Sequence, residues 1–275
     1  MKYIFLILTL MGLNFFNAQM IPIDSLKIQC EYSLSYQIDS TDTYSRKNEM
    51  FLLFIGKDQS LYISKNKYKR DSIKNSFIEQ SNNMGMLDLA KFPKTAFSYK
   101  ILKDFSNRDI IFYDDISAKL SVNYTERPNL IWKISDEKDQ ISDINCGVAY
   151  TSFAGRKYKA WYAIDIPLSE GPYKFNGLPG LIIKIVDTKG YYNFEIVSIK
   201  DRSMYNETID LDTKQINSKN VTKKEYLNAK RNYLNNLGEE LRNSGIFIGS
   251  DAIKKVQERA KRKNNPIELI DTDRL

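Results

Sequence analysis

The chain has 275 residues, with 41 Lys+Arg against 34 Asp+Glu, two cysteines and no histidine, and at 42% hydrophobic and 27% charged residues it is globular in composition. The missing histidine excludes Ser-His-Asp and Cys-His nucleophile pairs, His-ligated metals and histidine acid–base catalysis, and two cysteines cannot supply an all-thiolate zinc site. What remains is carboxylate, lysine or tyrosine chemistry, or a protein that binds without reacting.

Lys2 precedes an apolar run from Tyr3 to Phe16, and Ala18 stands before the polar Gln19. This is the pattern of a secretory signal peptide cut after Ala18, and the run is shorter than the roughly 20 residues that span a bilayer. Residues 1–18 are therefore expected to be removed and the mature chain to be exported, to the periplasm or beyond. Export puts Cys30 and Cys146 in an oxidising compartment, where an even pair can form a disulfide. Two separate buried thiols are the alternative, since Cys30 lies on an apolar strand face.

Ile28, Cys30, Tyr32, Leu34, Tyr36 and Ile38 alternate with polar residues, which predicts a long strand with one wet face. Phe51–Ile55, Gly56–Gln59 and Leu61–Ile63 predict a hairpin, and residues 72–87 a short helix and loop. Further strands are expected at Ile116–Tyr124, Leu130–Ile134, Val148–Phe153 and Tyr158–Ile166. Leu181–Val186 and Tyr191–Ile199 form the clearest hairpin, joined by Asp187-Thr-Lys-Gly190 with Gly190 suited to a left-handed turn position. Close spacing with little helix between predicts a mainly β (α+β) protein, a curved antiparallel meander forming an open barrel or bowl.

After residue 218 the pattern changes. Thr222 and Glu225 form a capping box, which predicts a helix to about Arg242 with an apolar stripe of Tyr226, Leu227, Tyr233, Leu234, Leu237 and Leu241. Ser250 or Asp251 can cap a second helix to about Lys263, with Ile253, Val256 and Ala260 on its apolar side. Pro266 stops it, and Ile267–Ile270 is expected as a last short strand or tail. The domain organisation is thus a signal peptide (1–18), a β domain (19–218) and a helical appendage (219–275) docked on it. Residues 219–263 carry 12 Lys+Arg against 5 Asp+Glu, which allows weak contact with an anionic surface but matches no nucleic-acid motif. No nucleic-acid partner and no membrane span are expected.

The least ordinary segment is 145–199, which contains Phe153-Ala-Gly-Arg-Lys-Tyr158, Gly171-Pro-Tyr-Lys-Phe175 and Gly177-Leu-Pro-Gly-Leu-Ile182. It closely resembles the GLPGLI family, named for that hexapeptide. The resemblance extends to Trp132-Lys-Ile-Ser135, to Phe51–Ser64 and to Asn265-Pro-Ile-Glu-Leu269. It implies an exported protein of an outer-membrane-bearing bacterium and supplies no catalytic residues, because the family's biochemical function is not established. A looser resemblance, to a bowl-like β domain appended to a secreted glycan-cleaving enzyme, bears on fold alone.

In the motif Gly177, Leu178, Pro179, Gly180, Leu181, Ile182, Pro179 fixes φ and Gly180 is placed to take a positive φ before a strand. One reading is an aromatic-lined rim holding a ligand with Trp161, Tyr162, Tyr173 and Phe175, while Arg156 and Lys174 meet an anionic group and Asp165 a cationic one. The other is a tightly folded corner that needs small residues and aromatic plugs, and the two can coexist. Asp114 and Asp115 are adjacent and point to opposite faces of a strand. Asp165 and Asp187 both end strands, and could serve as a glycosidase pair only if they share an open cleft. The sequence therefore favours a non-enzymatic protein binding an apolar or peptide-like ligand or an envelope protein, with no cofactor, metal or catalytic residue expected. A carboxylate-dependent hydrolase of glycan or envelope material is the alternative.

Overall fold

The computed structural model describes residues 20–80, 92–117, 120–243 and 249–269. The expected signal peptide, 1–18, lies outside the described residues. The strands are β1 (Met20–Ser25), β2 (Ile28–Gln37), β3 (Arg46–Ile55), β4 (Gln59–Ser64), β5 (Lys100–Asp104), β6 (Ile110–Asp115) and β7 (Ser121–Glu126). They continue with β8 (Lys133–Ile141), β9 (Ile144–Phe153), β10 (Arg156–Ala163), β11 (Ile182–Asp187), β12 (Tyr192–Asp201), β13 (Thr208–Asp212) and β14 (Lys219–Asn220). The helices are α1 (Lys65–Gln80), α2 (Thr213–Ile216), α3 (Lys223–Asn235), α4 (Leu237–Asn243) and α5 (Ser250–Lys261).

Among the described residues, twelve strands form one sheet in the order β14-β7-β6-β5-β4-β3-β2-β12-β11-β10-β9-β8, antiparallel throughout except where β14 runs parallel to β7. Its two ends, β14 and β8, do not meet, so this is an open, curved sheet, as the regular strand spacing predicts. Among the described residues no helix is long and apolar enough to cross a membrane.

The alternation in β2 sends Cys30, Tyr32, Leu34 and Tyr36 to the inner face, where they join the main core. In β3 the apolar run is continuous because both faces are covered. Phe51, Leu53 and Ile55 join the main core, whereas Leu52 and Phe54 pack outward in a second cluster with Ile209 and Leu211. That outer cover is a two-stranded sheet of β1 and β13. At the far end, β8 is an almost wholly exposed edge, and its Lys, Asp and Glu side chains make it a poor template for pairing with another chain.

Several local expectations change. Of the predicted strand Ile116–Tyr124, residues 118 and 119 lie outside the described residues, and the strand β7 begins only at Ser121: before it, the Ile116 N–H donates to the Leu120 carbonyl at 2.9 Å, and the Ser117 hydroxyl accepts from the Leu120 N–H. The expected strand at Leu130–Ile134 begins only at Lys133, and α1 begins seven residues before Ser72, with the loop part 81–87 outside the described residues. The Thr222–Glu225 capping box is present, but the helix it opens ends at Asn235, and α4 starts afresh at Leu237. On this stripe Tyr226 and Leu237 are buried and the other residues half-buried. The second helix is capped by Gly249 with no side-chain bond, so neither Ser250 nor Asp251 serves as its cap. In the Asp187–Gly190 turn, Gly190 has φ 68° and its N–H donates to the Asp187 carbonyl at 2.8 Å, as the sequence predicts.

Candidate functional site

The connection from β10 to β11, residues 164–181, carries the hexapeptide motif and fills the concave side of the sheet. It is held by its own backbone bonds: Leu181 N–H to the Ile166 carbonyl at 3.0 Å, Phe175 N–H to the Pro172 carbonyl at 3.1 Å, and Ala163 N–H to the Leu181 carbonyl at 2.8 Å. Tyr173, Phe175, Leu178 and Leu181 are all buried in the main core. Phe175 meets Tyr158 edge-on at 4.8 Å between ring centres, and Tyr173 meets Tyr99 edge-on at 5.9 Å. Trp132 clamps the entrance by donating its indole N–H to the Asn176 carbonyl at 2.8 Å.

Glycine roles in this plug differ from the expectation. Gly177, not Gly180, has the positive φ, at 91°. Gly180 is required by space: a Cβ there would lie 1.9 Å from the Ala163 carbonyl oxygen. Tyr173 itself sits at φ 55°, a strained value for a tyrosine that the surrounding core enforces.

Three buried charge clusters pin the plug. Lys103, 2% exposed, donates to Glu170 at 2.6 Å, to the Gly171 carbonyl at 2.7 Å and to the Phe175 carbonyl at 3.3 Å. Lys174, fully buried, pairs with Glu126 and with Glu268 at 2.5 Å, while Lys223 pairs with the same two carboxylates at 2.7 and 2.6 Å. Two cations thus balance two anions. Burial alone would raise the Glu268 pKa, but Lys174 and Lys223 overcome it and hold the carboxyl below the usual glutamate range. The third cluster joins Arg156 to Asp187 at 3.1 Å, to the Asn265 side chain at 2.5 Å and to the Pro266 and Ile267 carbonyls at 2.6 and 3.1 Å.

Two of these clusters use residues 265–268. Over its described residues, 267–269, the segment expected as a short strand or tail forms no strand, and with Asn265 it is held against β10, the β9–β10 turn and β12. Its Leu269 N–H donates to the Ala154 carbonyl at 2.9 Å, and the Tyr192 hydroxyl donates to the Asn265 carbonyl at 2.5 Å.

The seven residues assigned to a ligand rim therefore do not surround one space. Arg156, Tyr162, Tyr173, Lys174 and Phe175 are buried, and both cations already hold carboxylates of this chain. Trp161 is half-buried, with its indole N–H on Asp139 at 2.9 Å and Lys159 over its ring at 5.0 Å. Asp165 is exposed. Asp187 is buried, held by Arg156 and by the Tyr192 N–H at 2.8 Å, so it shares no open cleft with Asp165. The aromatic-plug reading describes Tyr173 and Phe175. Cys30 and Cys146 are both free and buried, which corrects the disulfide pairing. They sit on β2 and β9, with β12, β11 and β10 between them in the sheet. That is about 19 Å along the sheet at about 4.8 Å per strand, beyond the reach of a bridge. Burial, with a smaller contribution from Glu170, pushes the Cys30 thiol up to about 12, so it is inert at neutral pH.

What remains open is one rim of the plug. Between the β5–β6 turn, the connection from β7 to β8 and the Ser169–Gly177 stretch lies a cavity of about 510 Å³, within the size range of small-molecule sites. The Lys103–Glu170 pair forms its floor, and Asn176 and Gly177 of the motif loop form one wall. Phe105, Ile110, Pro128 and Leu130 give it apolar faces. Two other cavities, under the β1–β13 sheet and between α3 and α5, are smaller at about 360 Å³ each. Sequence reasoning reached the motif wall of the main cavity but missed the other two, whose only signal is the turn Asn107-Arg108-Asp109.

Fold and site together define an open antiparallel β bowl that is stoppered by its own loop and keeps one small cavity at the rim. A family model described as "Protein of unknown function (Porph_ging)" matches residues 151–184, which run from the end of β9 through the plug into β11. No curated protein matches the chain. Among solved structures, PNGF-II in its C2 and P21 crystal forms is similar, with TM-scores of 0.50 and 0.51 at 15% identity. The match covers 75% of this chain and 33% of PNGF-II, so the chain spans about a third of the length of that protein. At this identity the similarity establishes the fold alone.

Proposed function

We propose that the chain is an exported member of the GLPGLI family that binds a small apolar or peptide-like ligand without transforming it. The observation that carries this reading is the cavity of about 510 Å³ walled by the motif loop over a buried ion pair. The family-model match to residues 151–184 and the leader-like pattern of residues 1–18 support the family and the export. The concave face is occupied by Tyr173 and Phe175, so the ligand enters at the rim and not beneath the plug.

The test is native mass spectrometry of the mature protein purified from its own cell envelope. The wild type should carry a small molecule, and Asn129→Trp, which places an indole in the cavity from an exposed loop position, should not. An empty wild type, or equal occupancy of the two, would contradict the reading.

A further inference from the structure

Most charges around the cavity are already committed within the chain. Lys103 is saturated by Glu170 and two carbonyls, and Glu170 also accepts from the Ser60 hydroxyl at 3.1 Å. Asp104 accepts from the Ser106 N–H at 2.9 Å and its hydroxyl at 2.6 Å, and Asp109 accepts from Arg127 at 2.5 Å. Arg108 differs. It lines the cavity, is exposed and makes no ion pair among the described residues. It also stands at φ 61°, a left-handed position in the β5–β6 turn that glycine or asparagine usually fills. A strained, exposed and unpaired arginine at a cavity mouth points to a ligand group.

Three neutral side chains on the same walls are likewise uncommitted among the described residues: the Asn129 and Asn176 amides and the Ser169 hydroxyl. Amides and a hydroxyl pair well with a peptide backbone, and Phe105, 38% exposed, with Leu130 offers apolar surface for one side chain. The charge arithmetic restricts the ligand further. Glu170 is offset by Lys103 and Asp109 by Arg127, so among the described residues lining the cavity Arg108 is the one unpaired cation and Asp104 the one carboxylate without an ion pair, a balance that disfavours a phosphate dianion or a polyanion and leaves room for at most a single negative charge. Guanidinium and carboxylate match as a two-pronged pair.

We infer that this cavity takes the C-terminal end of a short peptide, with Arg108 binding its terminal carboxylate and Asn129 and Asn176 its last amides. The inference rests on the ligand-binding reading of the same cavity and names the ligand class.

The experiment offers the mature protein two libraries of acetylated tripeptides ending in an apolar residue, identical except that one has free C-terminal acids and the other C-terminal amides. Enriched peptides are then titrated calorimetrically, with glucuronic acid as a non-peptide carboxylate. The free acids should bind at least tenfold tighter than their amides. Arg108→Gln should remove that preference while leaving the urea unfolding midpoint unchanged, because the side chain is exposed. Asn129→Trp should abolish binding of both forms. Equal binding of acids and amides, lost in Asn129→Trp, would overturn the carboxylate assignment and leave the cavity as the site. Peptide binding that persists in Asn129→Trp would overturn the cavity reading itself. Arg108-dependent binding of glucuronic acid with no peptide bound would overturn the peptide class, and binding of no probe would overturn the inference outright.

Discussion

Replacing Gly180 with alanine should cost more than about 4 kcal/mol, the range reserved for severe steric or burial faults. The new methyl would lie 1.9 Å from the Ala163 carbonyl oxygen and 3.2 Å from that of Ile166. Both obstacles are backbone: the Leu181 N–H holds the Ile166 carbonyl at 3.0 Å, and Ala163 is fixed in place by its own N–H, which donates to the Leu181 carbonyl at 2.8 Å. Relief would require breaking these bonds and lifting the plug off its core. Domains are usually stable by about 5–15 kcal/mol, so the variant should express poorly or unfold at a much lower urea concentration. Gly190→Ala is the control. Nothing stands within 4 Å of its Cβ and only its φ of 68° is unfavourable, so a loss of about 1–2 kcal/mol is expected. Similar losses at both positions would mean that the plug does not approach β10 as closely as described.

Replacing Glu268 with alanine should cost about 3–5 kcal/mol, because it leaves the buried Lys174 ammonium short of a counter-charge. The Tyr173 hydroxyl loses its acceptor at the same time. Lys174→Met/Glu268→Met should be less damaging than Glu268→Ala, since it removes one charge of each sign and leaves Lys223 paired with Glu126. The same carboxylate sets an acid limit. Its folded pKa is depressed, so its contribution is complete above the ordinary glutamate value of about 4.3 and is lost as pH falls through the lower folded value. Urea midpoints should therefore fall below about pH 4, and fall less steeply in the double variant. A Glu268→Ala protein as stable as the wild type would remove the tail from the account of how the bowl is closed.

The strands were readable where one face is wet and the other buried, as in β2, and where a turn residue punctuates the chain, as at Gly190. The capping box at Thr222 was equally plain. Ile116–Tyr124 misled because the alternation of its apolar residues begins before β7 does, with neither glycine nor proline to mark where the strand starts. The motif loop was legible as a rigid corner, but its depth was not. Aromatic residues on a loop, such as Tyr173 and Phe175, read as a rim until the sheet that receives them is known. Lys174 read as an anion binder because its partner Glu268 lies 94 residues along the chain, and Arg156 because its partner Asp187, 31 residues on, comes beside it only once β10 and β11 pair, with Asn265 a further partner 109 residues away. The cavity draws on three separate connections, and no local pattern places Arg108 beside Asn129 and Asn176.

Amide hydrogen exchange of the mature protein, with and without the small molecule it retains, tests the account most directly. Protection should appear in residues 103–110, 127–132 and 169–177, with no change in the outward face around Trp161 or in α3 and α5. Protection centred on residues 219–263 or on β8–β10, with none at the rim of the plug, would contradict it.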